Sequence, residues 1–211
     1  MTMTAPSALS SLHTETYGIV LRSYLPLKKS CLVFDRINGV MRGIVSAHGR
    51  FSPAHAITHG ALLNYRPVNR GGRVFLEDVA IHQVPAPWVT EDILFLHHVL
   101  EMSTTFLLEH FPDRSVLDLL LELYRPLPVQ VDEALWKAVF LGRLFMAMGV
   151  YPEDETSIYM GKVLRLISTL GDTRLTNDQC EHWRMVLAGW LKRCLAQHAD
   201  GNTFKTVHFL N

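Results

Sequence analysis

Basic and aromatic residues alternate along the first third of the chain, a pattern suited to binding single-stranded nucleic acid. Arg22 and Tyr24 share one face of a predicted strand, and Phe34 and Arg36 share one face of the next. Cations contact phosphates, while flat rings stack on bases and contribute about 1–3 kcal/mol per base. The spacing predicts a nucleic-acid-binding wall. The alternative is that these are the polar residues that any solvated barrel carries on its outside, and that some of the aromatic residues face inward.

The segment Asn38–Arg50, NGVMRGIVSAHGR, adds to this surface. Read as a strand, it places Arg42 and His48 on the face opposite Met41 and Val45. Further cations lie in or beside the predicted loops, where OB folds often hold a nucleic acid strand. The candidate DNA-binding residues are Arg22, Tyr24, Lys28, Lys29, Phe34, Arg36, Arg42, His48, Arg50, Arg66, Arg70 and Arg73.

A second candidate site lies on a predicted helix that begins at Asp132. Its apolar residues have the spacing of a core-facing helix, but Lys137 and Arg143 interrupt them. With Phe140, these cations predict a groove that has apolar walls and a basic rim, suited to a short acidic peptide ending in a carboxylate. The alternative is that both cations extend from a buried helix to the edge of its core.

Motifs of the common enzyme classes do not occur in the sequence. There is no GxSxG elbow, GxxxxGK[ST] phosphate loop, GxGxxG or HExxH. His97 and His98 are adjacent, so on a helix they point in different directions and do not share a ligand sphere. We therefore expect no catalytic residue, no metal and no cofactor. A hydrolase that uses Cys31 and His98 is the open alternative.

Cysteine usage and hydropathy indicate the compartment. The three cysteines form no CxxC or CxxH pair, which argues against a disulfide framework or a zinc site and fits a reducing cytoplasm. No run of eighteen apolar residues occurs, and the first residues lack the regions of a signal peptide. We expect residues 1–14 to be a disordered lead-in and no membrane to be a partner.

Charge is divided unevenly along the 211 residues, although the formal net charge is zero. Residues 1–80 hold nine Lys and Arg against four Asp and Glu, which gives +5, and the remainder carries −5. A basic surface is suited to phosphate backbones, and the division suggests two surfaces with different partners. The alternative explanation is that the net charge of any chain varies by a few units from one part to another.

Residues 15–83 show the period-two alternation of strands. The five predicted strands are TYGIVLRSY, SCLVFDR, GVMRGIVSAH, ALLNYR and RVFLEDVAI. Asn38-Gly39 predicts a hairpin turn, because both residues tolerate positive φ. Five strands of this length predict a small closed barrel, and the OB fold is the commonest five-stranded candidate.

After the joint VPAPW, residues 84–211 change to the helical period and predict an all-α domain. The predicted N-terminal caps are Thr90, Ser115 with Asp118, Asp132, and Thr176 with Gln179, and a further helix spans about Thr156 to Leu170 before Gly171. The fold class is therefore α+β and multidomain: a five-stranded OB-fold barrel followed by a helical domain.

Four segments resemble, in the same order, the RecO family of bacterial DNA repair proteins, and the similarity spans nearly the whole chain from Tyr17. They are GIVLRSY in the first strand, NGVMRGIVSAHGR, the helix DEALWKAVFLGRLFMAMGVYPE, and the C-terminal GNTFKTVHFLN, in which Lys205 matches a family lysine. Each segment is short and degenerate, so the order and spacing carry the resemblance.

The resemblance implies a recombination mediator without enzymatic activity. Such a protein binds single- and double-stranded DNA, anneals complementary strands and helps to load the RecA recombinase. It works with RecR and binds the C-terminal tail of single-stranded DNA-binding protein, and it is cytoplasmic and nucleoid-associated. The groove expected to hold that tail comprises Lys137, Phe140, Arg143 and Lys205.

Two features depart from the family pattern. Where the family has Lys-Gly-Ala-Arg, this chain has Ala-His-Gly-Arg at residues 47–50, which is less cationic at neutral pH. Many members carry a four-cysteine zinc module, whereas Glu153–Cys180 contains one cysteine and predicts helix. We therefore expect no zinc module. A peptide-tail-binding adaptor, whose barrel does not bind DNA, is the alternative function.

Overall fold

The structure, a computed structural model, describes residues 16–25, 28–45, 57–127, 132–170 and 175–198. Five predicted features lie outside the described residues: the lead-in at 1–14, His48, Arg50, Gly171 and Lys205.

Five strands close into a barrel at the start of the described chain. They are β1 (Thr16–Ser23), β2 (Ser30–Asp35), β3 (Gly39–Val45), β4 (Leu62–Arg70) and β5 (Arg73–Gln83). They close in the order β1-β2-β3-β5-β4, and all neighbours are antiparallel except β3 and β5. The predicted closed five-stranded barrel is confirmed, and it is consistent with an OB-like barrel.

The predicted hairpin between β2 and β3 forms at Asn38-Gly39. The Asp35 carboxylate accepts hydrogen bonds from the backbone N–H groups of Ile37 and Asn38, at 2.8 and 2.6 Å. Gly39 has a φ of +67°, and a Cβ atom there would lie 2.4 Å from the backbone of Phe111. Glycine therefore permits both the turn and the close approach of the later helical segment.

Strand β2 is buried along its whole length because it is packed on both faces. Cys31 and Val33 point into the barrel, whereas Leu32 and Phe34 belong to a hydrophobic cluster shared with the helices. Phe34 has no exposed surface. The prediction that its ring lies on an open wall is therefore wrong, since residues of the helical region cover this part of the barrel.

Helices follow the barrel. They are α1 (Ala86–Glu91), α2 (Ile93–Phe106), α3 (Arg114–Leu120), α4 (Glu133–Ala147), α5 (Glu155–Leu170) and α6 (Asn177–Ala196), with a 3-10 turn at Leu121–Tyr124. Two predicted caps are confirmed: Asp132 caps α4, and Thr176 forms a capping box with Gln179 at α6. Among the described residues, no helix is both long and apolar enough to cross a membrane.

Two other caps differ from prediction. Thr90 lies inside α1, where its hydroxyl donates to a backbone carbonyl, and the Asp92 carboxylate caps α2 by accepting from the Phe95 N–H at 3.0 Å. Asp113 caps α3 in place of Ser115. In both cases a carboxylate just outside the helix takes the capping position, because a charged acceptor binds a backbone N–H more strongly than a hydroxyl does.

Barrel and helices share hydrogen bonds as well as one hydrophobic cluster. The Tyr124 hydroxyl donates to the Gly60 carbonyl at 2.7 Å, and Gln83 Nε2 donates to the Tyr124 carbonyl at 3.0 Å. The His110 N–H donates to the Val40 carbonyl at 2.9 Å. The division into two domains at residue 84 stays a prediction.

Candidate nucleic-acid interface

A β-bulge in β1 directs one arginine to the outer wall. The register between β1 and β2 shifts at Leu21, so that Leu21 and Arg22 both face Leu32. Leu21 is buried in the cluster shared with the helices, while Arg22 is exposed. The bulge thus allows Leu21 to pack in the shared cluster while the next residue, Arg22, stays at the surface.

Three cations surround the ring of Tyr24, which follows the end of β1. The guanidinium carbons of Arg22 and Arg42 lie 5.5 and 5.2 Å from the ring centroid, and Lys28 Nζ lies 5.9 Å from it. Arg42 reaches this position from β3, because Leu32 pairs with Arg22 on one side and Arg42 on the other. We call Arg22, Tyr24, Lys28 and Arg42 the Tyr24 cluster.

The cations of the Tyr24 cluster are exposed, and among the residues that the structure describes none of the three has a carboxylate in ion-pair distance. Each cation–ring contact is worth about 0.5–1 kcal/mol at an exposed site. The ring therefore holds three like charges close together without neutralising them. Such a cluster attracts a polyanion and offers a ring on which a base can stack.

A second ring lies along the same row of the barrel wall. Tyr24 donates its backbone N–H to the Ser30 carbonyl at 3.1 Å, Ser30 pairs with Ile44, and Ile44 pairs with Phe75. Three strand spacings separate Tyr24 from Phe75, which is about 14 Å along the wall. Sequence reasoning missed Phe75, although its period-two spacing from Arg73 was an available signal.

The hairpin of β4 and β5 carries three predicted cations, two of which are neutralised. Arg66 is ion-paired with Glu77 at 2.9 Å and with Asp78 at 3.0 Å. Arg70 also pairs with Glu77 and lies over the Phe75 ring. Arg73 is exposed and has no ion-pair partner within the described ranges.

Two further predicted cations are separated by the length of β2. Lys29 is exposed beside Lys28, at the end of β2 that meets the Tyr24 cluster. Arg36 is exposed in the turn at the opposite end. At about 3.3 Å per residue, β2 keeps the two ends nearly 20 Å apart. The structure therefore brings Lys29, but not Arg36, to the cluster.

The predicted peptide groove does not form as one surface. Phe140 is buried in the helical core, in contact with Trp136. Lys137 pairs with Asp92 at 2.6 Å and with Glu133. Burial lowers the pKa of a lysine, but these two hydrogen bonds outweigh it and hold the pKa of Lys137 above its usual value.

Arg143 lies on a different groove from Lys137. Its guanidinium makes two hydrogen bonds to the Glu122 carboxylate, both at 2.8 Å. It lines a groove of about 730 Å³ among α3, α4 and α5, whereas Lys137 lines one of about 750 Å³ between α4 and α6. The predicted cations are thus engaged with carboxylates and face different spaces.

The two residues named for a hydrolase lie on different elements, Cys31 on β2 and His98 on α2. Cys31 lies in the barrel interior, and burial raises the pKa of its thiol to about 12, so it is protonated at neutral pH. In the part of the chain that the structure describes, no group of three or more His, Cys, Asp or Glu side chains is placed to hold a metal ion.

No protein-family model matches the chain, and no curated protein is significantly similar to it. The likeness to the RecO family therefore rests only on the four sequence segments quoted above.

Proposed function

We propose that this chain is a RecO-like, ATP-independent mediator of DNA repair and recombination, which binds single- and double-stranded DNA through its barrel and anneals complementary strands. The observation that supports the proposal is the Tyr24 cluster, in which three exposed cations surround one half-buried ring. Cations that track phosphates, together with rings that stack on bases, are what single-stranded nucleic acid requires.

The position of the cluster also supports this function. OB folds bind oligonucleotides on the face of strands 2 and 3 and at the loops between strands 1 and 2 and strands 4 and 5. Tyr24 and Lys28 lie between β1 and β2, Arg42 lies on β3, and Arg73 begins β5. Phe75 and Arg73 extend the surface toward the second of these loops.

The finer parts of the proposal come from the resemblance. By analogy, the chain works with RecR, binds the C-terminal tail of single-stranded DNA-binding protein and assists RecA indirectly. It acts without a cofactor and as a non-enzyme, on nucleoid DNA in the cytoplasm. These partners are expectations that pull-down and annealing experiments address one at a time.

A salt series tests DNA binding and annealing together. Fluorescence anisotropy measures binding of the full chain to a labelled single strand, and quenching of a labelled complementary pair measures annealing without ATP. We expect the affinity to fall steeply with salt, because phosphate contacts release counterions. Absence of binding at the lowest salt, or binding that is independent of salt, would overturn the proposal.

The adaptor function is supported by one observation, the groove of about 730 Å³ that has Arg143 at its edge and Leu119, Met146 and Leu164 among its apolar lining residues. The apolar lining suits a peptide that ends in an apolar residue, while Arg143 is already paired with the Glu122 carboxylate in the same groove. Calorimetry with an acidic peptide ending in Phe separates the two functions. Peptide binding by a chain that has no affinity for DNA would favour the adaptor.

A further inference from the structure

A cleft opens between the barrel and α2, next to the Tyr24 cluster. It has a volume of about 380 Å³. Arg22 of β1, His59 of the segment before β4, and His97 and Glu101 of α2 line it together with apolar residues. Arg22 thus belongs both to the Tyr24 cluster and to this space, which we call the histidine cleft.

One guanidinium and two imidazoles converge in the histidine cleft. The rings of His59 and His97 lie 5.8 Å apart between centroids. Burial, followed by repulsion from His97 and Arg22, lowers the pKa of His59 below 6.5. His98 and Glu101 also line the cleft, and each has a further interaction within the protein. An anion placed among Arg22, His59 and His97 relieves this repulsion.

The hydrogen-bond donors of the histidine cleft explain why protonation of His59 favours binding of an anion. Thr104 and Thr105 line the cleft, but their hydroxyls donate to the backbone carbonyls of Leu100 and Glu101. A neutral imidazole has one N–H donor, whereas a protonated imidazole has two. Only protonated His59 has a second N–H to offer to an anion. Arg22 supplies the donors that are present at every pH.

We propose that the histidine cleft binds a phosphate group of a polynucleotide among Arg22, His59 and His97, adjacent to the phosphates that contact the Tyr24 cluster, and that it does so when His59 is protonated. This inference rests on the proposed function. The cleft is too small for several stacked bases but accommodates one phosphate group. Arg22 at its wall favours an anion over a metal cation.

Binding of DNA then becomes stronger as pH falls. A phosphate held beside the His59 imidazole favours its charged form, so the pKa of His59 rises in the complex. The affinity gain appears as pH falls through the bound-state pKa and is complete below the free-state pKa. A rise of one pKa unit corresponds to a tenfold gain in affinity. We therefore expect at least a tenfold increase between about pH 7.5 and about pH 5.5.

The test compares His59→Gln/His97→Gln with the wild type. A control, His82→Gln/His182→Gln, removes two exposed histidines outside the cleft. Anisotropy with a single strand is measured at both pH values and one ionic strength. We expect the cleft variant to lose most of the gain in affinity that the wild type shows between the higher and the lower pH. The control should keep the full gain.

The outcomes separate this inference from the proposed function. If all three proteins bind DNA with the same pH dependence, the cleft is not a phosphate site, while DNA binding stands. If the wild type binds no DNA at either pH, the proposed function fails, and the cleft fails with it as a DNA subsite.

A spectroscopic measurement distinguishes a DNA phosphate from a free anion. NMR titration follows the imidazole pKa of His59 in the free protein, with a DNA strand, and with inorganic sulfate, whose charge is constant in this range. We expect the pKa of His59 to rise with DNA. A rise with sulfate but not with DNA would overturn the assignment of the cleft to a polynucleotide.

Discussion

Two places in the molecule bring cations against aromatic rings, and they differ in their counter-charges. Lys137 lies over the rings of Trp88 and Phe95, at 5.6 and 5.7 Å from their centroids, and its side chain is only 11% exposed. Asp92 and Glu133 neutralise it. The Tyr24 cluster holds exposed cations around one ring, with no carboxylate in ion-pair distance in the described ranges.

Residue type alone does not distinguish a structural cation from one available to a ligand. The Lys137 site joins the N-terminal cap of α2 to α4, because Asp92 caps the former and Lys137 belongs to the latter. The charge of Lys137 therefore stabilises the fold. The charges of the Tyr24 cluster repel one another in the free protein, so a polyanion stabilises them.

The largest effect is expected at the Lys137 site. Lys137→Met removes one partner of a nearly buried ion pair and leaves the Asp92 carboxylate partly uncompensated, which should lower the free energy of unfolding by about 2 kcal/mol. Urea denaturation measures it. Lys162→Met, at an exposed position on α5, is the control and should change stability by less than about 0.5 kcal/mol. Equal stability of the two variants would contradict a structural role for Lys137.

Acid should remove part of the same stabilisation. Burial raises the pKa of Asp92, but hydrogen bonds from Lys137 and from the Phe95 N–H outweigh it and hold the pKa below its usual 3.8. A carboxyl with a depressed folded-state pKa stabilises the fold above its unfolded-state pKa and loses this contribution as pH falls through the folded-state value. The difference in free energy of unfolding between the wild type and Lys137→Met should therefore become smaller below about pH 4. A difference that does not change with pH would contradict the role of the Asp92 carboxylate.

A smaller effect is expected for the ring of the Tyr24 cluster. Tyr24→Leu removes a stacking surface but no charge, so single-strand affinity should fall about tenfold, while double-strand affinity changes less because paired bases are not free to stack. Anisotropy with both kinds of DNA measures this. Tyr159→Leu, an exposed tyrosine on α5, is the control. Equal losses for the two DNA forms would argue against stacking.

The smallest effect is expected from Glu77. Its carboxylate pairs with Arg66 and Arg70, so Glu77→Gln frees Arg70 beside the proposed surface and leaves Arg66 paired with Asp78 alone. DNA affinity should rise about threefold at low salt, and the gain should vanish at high salt. The control is Glu181→Gln, which removes an ion pair on α6. Weaker DNA binding by Glu77→Gln would show that the ion pairs support the surface instead of masking it.

Much of the barrel is predictable because its signals are local. Period-two alternation and Asn38-Gly39 indicate strands and a hairpin, and these form. The burial of Phe34 is not predictable in this way, because it depends on helices that pack on the outside of β2. The same long-range packing buries both faces of β2.

The candidate site is less predictable than the fold, since ion pairs depend on register. Arg22, Tyr24 and Arg42 meet because Leu32 pairs with Arg22 on one side and with Arg42 on the other, and the outward position of Arg22 depends on the bulge at Leu21, which alternation does not predict. The neutralisation of Arg66 depends on its pairing opposite Glu77 across an irregular ladder. Likewise, the Lys137 contact with Asp92 joins residues far apart in sequence. Spacing within a single element cannot reveal such partners.

The most direct test removes the three cations of the Tyr24 cluster together. Arg22→Ala/Lys28→Ala/Arg42→Ala is compared with Arg114→Ala/Lys162→Ala/Arg184→Ala, which removes the same charge from exposed positions on the helices. Single-strand affinity is measured by anisotropy across a salt series. We expect the cluster variant to lose about two from the slope of log affinity against log salt, and the control to keep the wild-type slope. Equal slopes for the two variants would contradict the assignment of DNA binding to this surface.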